Sequence, residues 1–360
     1  MPNVPVYDPA DVEAQLRRLK GDDTFDDVLS GDNVVLERAR YYRKMSENPR
    51  GAGRVALVGT PEMIRAVEAL SAAAPNFSEV SGVVLRAIAL SVQTDIPLSI
   101  PPLLFVGPPG VGKTFFSRSL AQALGVPYAE YSMALADDPG EHVGHKLSRR
   151  GARPGLVERT LIEGWSAAPV ILVDEVEKTQ WSNYGNPLDV FHALLEPESA
   201  RAFRDAYLDI PLRADRVIWF FTANEIDTLR SSLIDRMTVV TVAPPNEAQR
   251  AAIIRSLYSR FIAPFQGRLD PNIANEVIDA IADATPRTAR RLIEIGFGFA
   301  AQDDRHRLTP ADIAKARRHV GPDPKHARFG FHPVKPRLEA TPSRQPAIIL
   351  SPICGLCSGK

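Results

Sequence analysis

The stretch that most constrains this chain is an apolar run, Leu103–Val106, leading directly into Gly107-Pro108-Pro109-Gly110-Val111-Gly112-Lys113-Thr114. After it, Phe116, Leu120, Ala123 and Leu124 fall on one helical face, and Gly125 ends the helix. Strand, glycine loop and helix in that order build a phosphate cradle. The glycines let backbone N–H groups turn toward phosphate oxygens, and the helix N-terminus adds a favourable dipole. Lys113 is expected to reach the β- and γ-phosphates, and the Thr114 hydroxyl to hold Mg²⁺. ATP and Mg²⁺ are the ligands this pattern predicts.

A second apolar run, Val170–Val173, ends in Asp174-Glu175. It follows the loop at the distance expected of the second half of a nucleotide site. Asp174 is placed to complete the Mg²⁺ shell beside Thr114, and Glu175 to orient and deprotonate an attacking water. Val217–Phe221 and Val239–Val242 are further continuous apolar runs, and Val126–Met133 supplies another candidate strand. Such continuity suggests strands covered on both faces. Their alternation with helical patterns predicts an α/β fold, a parallel sheet flanked by helices.

Ala243-Pro244-Pro245 closes that pattern, and only helical periodicity follows. Ile254, Leu257, Tyr258 and Phe261 share one face; Ala289, Leu292, Ile293, Phe297 and Ala300 share another. Thr309-Pro310 reads as a helix start, as does Thr60-Pro61, and residues 72–76 read as a linker. The expected organisation is an N-terminal, mostly helical part (1–75), a nucleotide-binding α/β domain (76–243), a small helical domain (244–320) and a tail of low order (321–360), rich in Pro, Arg and Ser.

Composition narrows the partners. Lys+Arg and Asp+Glu are both 43, so no net charge favours nucleic acid or a membrane surface. No apolar stretch approaches the roughly 18 residues of a membrane span, and the first residues lack the basic-then-apolar pattern of a signal peptide. The only cysteines are Cys354 and Cys357, too few for a disulfide framework, and a cytoplasmic location is expected. With His326 and His332 irregularly spaced, the pair does not read as a zinc site. His142 and His145 flank a glycine and read as loop-packing or polar residues, with a metal role as the alternative.

Several longer stretches are more specific than the phosphate loop. They are Glu141-His142-Val143-Gly144-His145, Gly151-Ala152-Arg153-Pro154-Gly155, Asp174-Glu175-Val176-Glu177-Lys178, Leu194-Leu195-Glu196-Pro197-Glu198, Tyr207-Leu208-Asp209-Ile210-Pro211, Thr222-Ala223-Asn224 and Leu233-Ile234-Asp235-Arg236-Met237. In these the chain resembles the AAA+ ATPase module of Lon-type ATP-dependent proteases over residues 77–320. The resemblance implies a homo-oligomeric ring, a hexamer in that family, with nucleotide at subunit interfaces. It makes Asn224 the sensor of the attacking water or γ-phosphate. Arg236 becomes an arginine finger offered to the neighbouring subunit, and Arg287 a second sensor on the helical lid. Thr285-Pro286 stands where the family has Gly-Val ahead of that arginine, so Arg290 or Arg291 are alternatives. Val83 would pack on adenine.

Two departures shape the functional expectation. About forty residues follow the lid, too few for the family's Ser-Lys peptidase domain, so no peptidase activity is expected. The substrate-gripping loop carries Arg149 and Arg150 where the family has an aromatic and an aliphatic residue. Guanidiniums favour carboxylates and phosphates over apolar polypeptide, while Trp181 and Tyr184 either offer aromatic grip from a second loop or pack at a subunit interface. Two readings stand at this point: an ATPase that remodels or translocates a protein partner, such as a separate protease, and a nucleic-acid-associated ATPase with an arginine-bearing pore loop.

Overall fold

The computed structural model describes residues 2–21, 33–135, 140–146, 151–180 and 185–320. By compactness the chain separates into Met1–Gly321 and Pro322–Lys360. The second unit, with Cys354 and Cys357, lies outside the described residues, as do Arg149, Arg150, Trp181 and Tyr184.

The chain opens with β1 (Asn3–Pro5), α1 (Pro9–Gly21), α2 (Asn33–Ser46) and β2 (Gly53–Val55), which pairs antiparallel with β1. Helices α3 (Pro61–Ala73) and α4 (Ser78–Thr94) lead to β3 (Leu103–Val106), α5 (Lys113–Leu124) and β4 (Tyr128–Ser132). Next come α6 (Leu156–Glu163), β5 (Val170–Asp174), the small antiparallel pair β6 (Phe203–Arg204) and β7 (Pro211–Leu212), β8 (Ile218–Ala223) and β9 (Thr238–Thr241). Helices α7 (Glu247–Ile262), α8 (Asn275–Ile281), α9 (Pro286–Gln302) and α10 (Pro310–Arg317) close the described chain.

Five strands form one parallel sheet in the order β4-β5-β8-β3-β9. The continuous apolar runs are explained by its two cores. Leu104, Ile171, Val173, Trp219 and Phe221 face one apolar cluster, with Leu161, Phe191 and Tyr42. Leu103, Phe105, Val170, Leu172, Ile218 and Phe220 face the other, with Val67, Ile88, Phe116 and Leu120. Alternate residues point to opposite faces, so a strand covered on both sides has no polar position. The expectation for Val239–Val242 needs correction. The strand is Thr238–Thr241, and only Val240 within it is buried. β9 pairs with β3 alone, so it is an edge strand with one side open.

The linker expected at residues 72–76 is also corrected. Ala72 and Ala73 finish α3, and Pro75–Phe77 form a 3-10 turn. The Ala74 N–H closes on the Leu70 carbonyl at 2.9 Å, and Phe77 stacks on Phe116 with ring centroids 4.2 Å apart. Caps fall where the sequence placed them. Thr60 accepts from the Met63 N–H at 3.3 Å with Pro61 first in the helix, and Thr309 and Asp312 form a capping box. A third compact cluster, including Tyr258, Ile281, Leu292, Ile293, Phe297 and Ile313, holds α7 to α10 together. His142 packs edge-on against Tyr131 and Phe191, and burial pulls its imidazole down to about 4, leaving it neutral.

The N-terminal elements dock on α6 and on the segment before β7 through buried polar contacts. Arg54, only 1% exposed, donates to the Leu161 carbonyl at 2.9 Å and to the Ile162 carbonyl near the end of α6, where helical carbonyls lack internal partners. Arg38 reaches the Leu208 carbonyl at 2.7 Å, and the Tyr41 hydroxyl donates to Glu158 at 2.6 Å. Glu158 is fully buried, its second carboxyl oxygen has no partner, and burial raises its pKa well above the ordinary value of 4.5.

The folded chain therefore keeps the Glu158 proton at a pH where the unfolded chain releases it. Stability falls as pH rises above the unfolded value, until the folded group itself ionises. Replacing Glu158 by Gln removes that loss. In thermal melts Glu158→Gln is expected to match wild type near pH 4.5 and to melt higher at pH 8. Asp205, pushed up to about 6 by burial against three backbone N–H donors, leaves a smaller slope in both proteins. Parallel melting curves across that range would show that Glu158 ionises normally.

Candidate active site

The strand order brings three C-terminal strand ends side by side. β8 lies between β5 and β3, so Asp174, Asn224 and Gly107 emerge at one crevice. Gly107 has no room for a side chain, because a Cβ there would lie 2.2 Å from the Val242 carbonyl oxygen. Gly110 and Gly112 take φ of 83° and 103°, which only glycine adopts readily. These positions turn the loop so that α5 begins at Lys113.

Lys113 is 8% exposed. Its ammonium donates to the carbonyls of Gly107 at 2.5 Å and Pro108 at 3.3 Å, and to Asn224 Oδ1 at 3.0 Å. Burial lowers its pKa, while Glu177, Asp174 and Glu175 pull it back up. Asn224 in turn donates from Nδ2 to Glu177 Oε1 at 2.5 Å, and Glu177 Oε2 is buried without a partner. Lysine, asparagine and glutamate thus form one chain of polar contacts across the crevice.

Asp174 accepts from the Thr114 hydroxyl at 2.9 Å and from the Thr222 hydroxyl on its other oxygen. Thr222 Oγ1 also accepts from the Glu175 N–H at 3.0 Å. Glu175 sits at φ 57°, in the left-handed region, at a cost of roughly 1–2 kcal/mol for a non-glycine residue. Its carboxylate pairs with Lys178 at 2.5 Å. Thr222 and Glu177 are site residues to which sequence reasoning gave no role. Both lay inside stretches already singled out, but their contacts depend on strand register.

Around these groups opens a cleft of about 530 Å³. Its floor is Pro109–Thr114 with Asp174, Glu175, Glu177 and Asn224, and Ala73, Ala74, Asn76 and Phe77 form a wall. The helical part adds Ile253, Leu257 and Arg260 from α7, and Arg287, Arg290 and Arg291 from α9. Arg287 thus lines the cleft in company: Arg290 and Arg291 lie about one turn further along α9 and line it too. Val83 does not line it; it is half-buried against the Phe105–Phe116 cluster. Arg236 does not line it either. It is exposed, donating to the Ser232 carbonyl at 2.5 Å.

The residues present fit ATP and Mg²⁺. A hydroxyl and a carboxylate 2.9 Å apart at a helix start are the oxygen donors a hard cation takes. The glycine loop and buried ammonium suit a polyphosphate, and the cavity volume suits one small ligand.

Thr222→Val keeps the shape of the side chain but removes both of its contacts. Turnover is expected to drop about 10–100-fold while nucleotide affinity stays within about twofold, because the loss falls on positioning. Equal losses in both would mean that Thr222 supports only the loop fold.

A phosphate loop and an acidic strand end on a parallel sheet flanked by helices define a P-loop ATPase. Residues 103–245 match the family model for the ATPase family associated with various cellular activities (AAA). The Lon protease of Chloroflexus aggregans is 35% identical over 183 residues, covering 51% of this chain and 22% of that protein. The Lon protease of Geobacter metallireducens is 32% identical over 246 residues, covering 64% of this chain and 29% of that protein. A mutant Thermotoga maritima RuvB structure aligns with a TM-score of 0.49 at 15% identity, over 68% of this chain and 71% of that one. The chain carries an AAA+ ATPase module, and that module is of the Lon type. It spans less than a third of the length of these Lon relatives. No helix among the described residues is long and apolar enough to cross a membrane.

Proposed function

We propose that this chain hydrolyses Mg²⁺-ATP at interfaces between copies of itself, in a ring of six, and uses the cycle in the cytoplasm to remodel or translocate a protein partner, without peptidase activity of its own. The observation that carries the shared site is Arg236. It is an exposed arginine just ahead of β9, at the edge of the sheet where β3 and β9 begin, and its own cleft does not use it. A neighbour's cleft is the place where such a group stabilises transition-state charge.

The cleft residues then divide the work. Loop N–H groups from Gly110 to Thr114 hold phosphate oxygens, and Lys113 exchanges its carbonyl partners for them. Thr114 and Asp174 hold Mg²⁺, which when bound neutralises charge on the β- and γ-oxygens. Glu175, freed from Lys178, accepts a proton from water as the water oxygen bonds to the γ-phosphorus and the bridge to the β-phosphate breaks. Asn224 steadies that water or the γ-phosphate, and Arg287 with Arg290 and Arg291 ties lid position to it.

Adding an unfolded protein such as casein is expected to stimulate ATP turnover several-fold and to leave the casein uncut. Stimulation by DNA or RNA in its place would favour a nucleic-acid partner. ATP-dependent cleavage of casein would overturn the absence of peptidase activity.

A further inference from the structure

Phe115 follows the phosphate loop directly, yet its ring is 43% exposed and lines the nucleotide cleft. The guanidinium of Arg260, in the last turn of α7, lies over that ring at 4.5 Å from its centroid. Arg260 makes no ion pair among the described residues, in contrast to Arg118 nearby, which pairs with Glu130 at 2.7 Å. Arg260 is itself exposed, and the Phe115 ring face is what steadies its guanidinium over the cleft. An aromatic–arginine pair therefore joins the first turn of the loop helix to the first helix of the lid, inside the cleft.

Its place on the helix says which part of a nucleotide it meets. At 100° per residue, Phe115 points roughly 200° away from Lys113 and 100° from Thr114. The terminal phosphate and metal belong to Lys113, Thr114, Asp174 and Glu175. The Phe115 side faces away from them, toward the lid. Taking the cleft as the ATP site proposed above, we infer that Arg260, steadied on Phe115, is the lid's cation for the inner, base-proximal phosphate that ATP and ADP share. Arg287 and its neighbours on α9 answer to the γ-phosphate; Arg260 answers to nucleotide of either kind. Phe115 is a positioning residue, and the pair keeps the lid engaged until ADP leaves.

Titration of the full chain with fluorescent ATP and ADP analogues tests this. Arg260→Ala should weaken both about tenfold, the scale of one lost charge-assisted contact. KM should rise with kcat within about twofold of wild type, the signature of binding lost equally from ground and transition states. Phe115→Leu, which keeps apolar bulk without a π face, should reproduce the loss, and Phe115→Tyr should restore wild-type affinity. Arg260→Ala that weakens ATP alone, or neither nucleotide, overturns the inference and leaves the ATPase reading standing. Phe115→Leu that binds as wild type does removes the ring's role and overturns it equally. A wild-type chain that binds neither analogue overturns both.

Discussion

Glu175→Gln is expected to lower ATP turnover by about 10³-fold, the usual scale for removing a general base, while ATP binding stays within about twofold. The amide keeps the shape of the carboxylate but cannot accept the proton. Glu175 is held for this work by its backbone. Its N–H is bonded to Thr222, and its φ of 57° turns the side chain out of the strand direction. Its present partner, Lys178, lies in the following turn and is half exposed, so the pair exchanges readily with water. Single-turnover measurements with radiolabelled ATP separate the effects. A variant that binds ATP normally and hydrolyses it at the wild-type rate would remove Glu175 from the chemistry.

Arg236→Ala is expected to cost about 10³–10⁵-fold in turnover, the range for an arginine finger. ATP affinity should change little, because the residue lies outside its own cleft. Folding should also be spared. Arg236 is exposed, and its side-chain contact is a donation to Ser232 one turn earlier. If assembly fails in the same variant, sizing at several concentrations separates a lost interface from a lost transition-state contact.

Those features were legible from sequence because each depends on local chemistry at fixed spacing. The loop needs glycines at Gly107, Gly110 and Gly112, the strand needs an acid at its end, and the helices need Thr60 and Thr309 at their starts. What was not legible depends on partners far away in sequence. Val239 and Val240 look alike in a run of β-branched residues, and only the packing of one face of β9 on the core exposes one and buries the other. Thr222 meets Asp174 because Val173 pairs with Phe221 across β5 and β8. Arginine is rarely buried, so Arg54 gave no sign of docking on α6. β1 and β2 are too short to show a period of two, and they pair across some fifty residues of sequence. Val83 followed from family likeness alone, and its side chain packs half-buried against the core.

If each site is completed by a neighbour, mixing two inactive variants restores what neither has alone. Arg236→Ala leaves a subunit with a sound cleft but no finger to offer, and Glu175→Gln leaves a sound finger beside a dead cleft. Hydrolysis should reappear when the two are co-assembled, because an Arg236→Ala cleft next to a Glu175→Gln subunit has every group it needs. A mixture as inactive as its parts, in assemblies shown to contain both chains, would contradict a site shared between subunits.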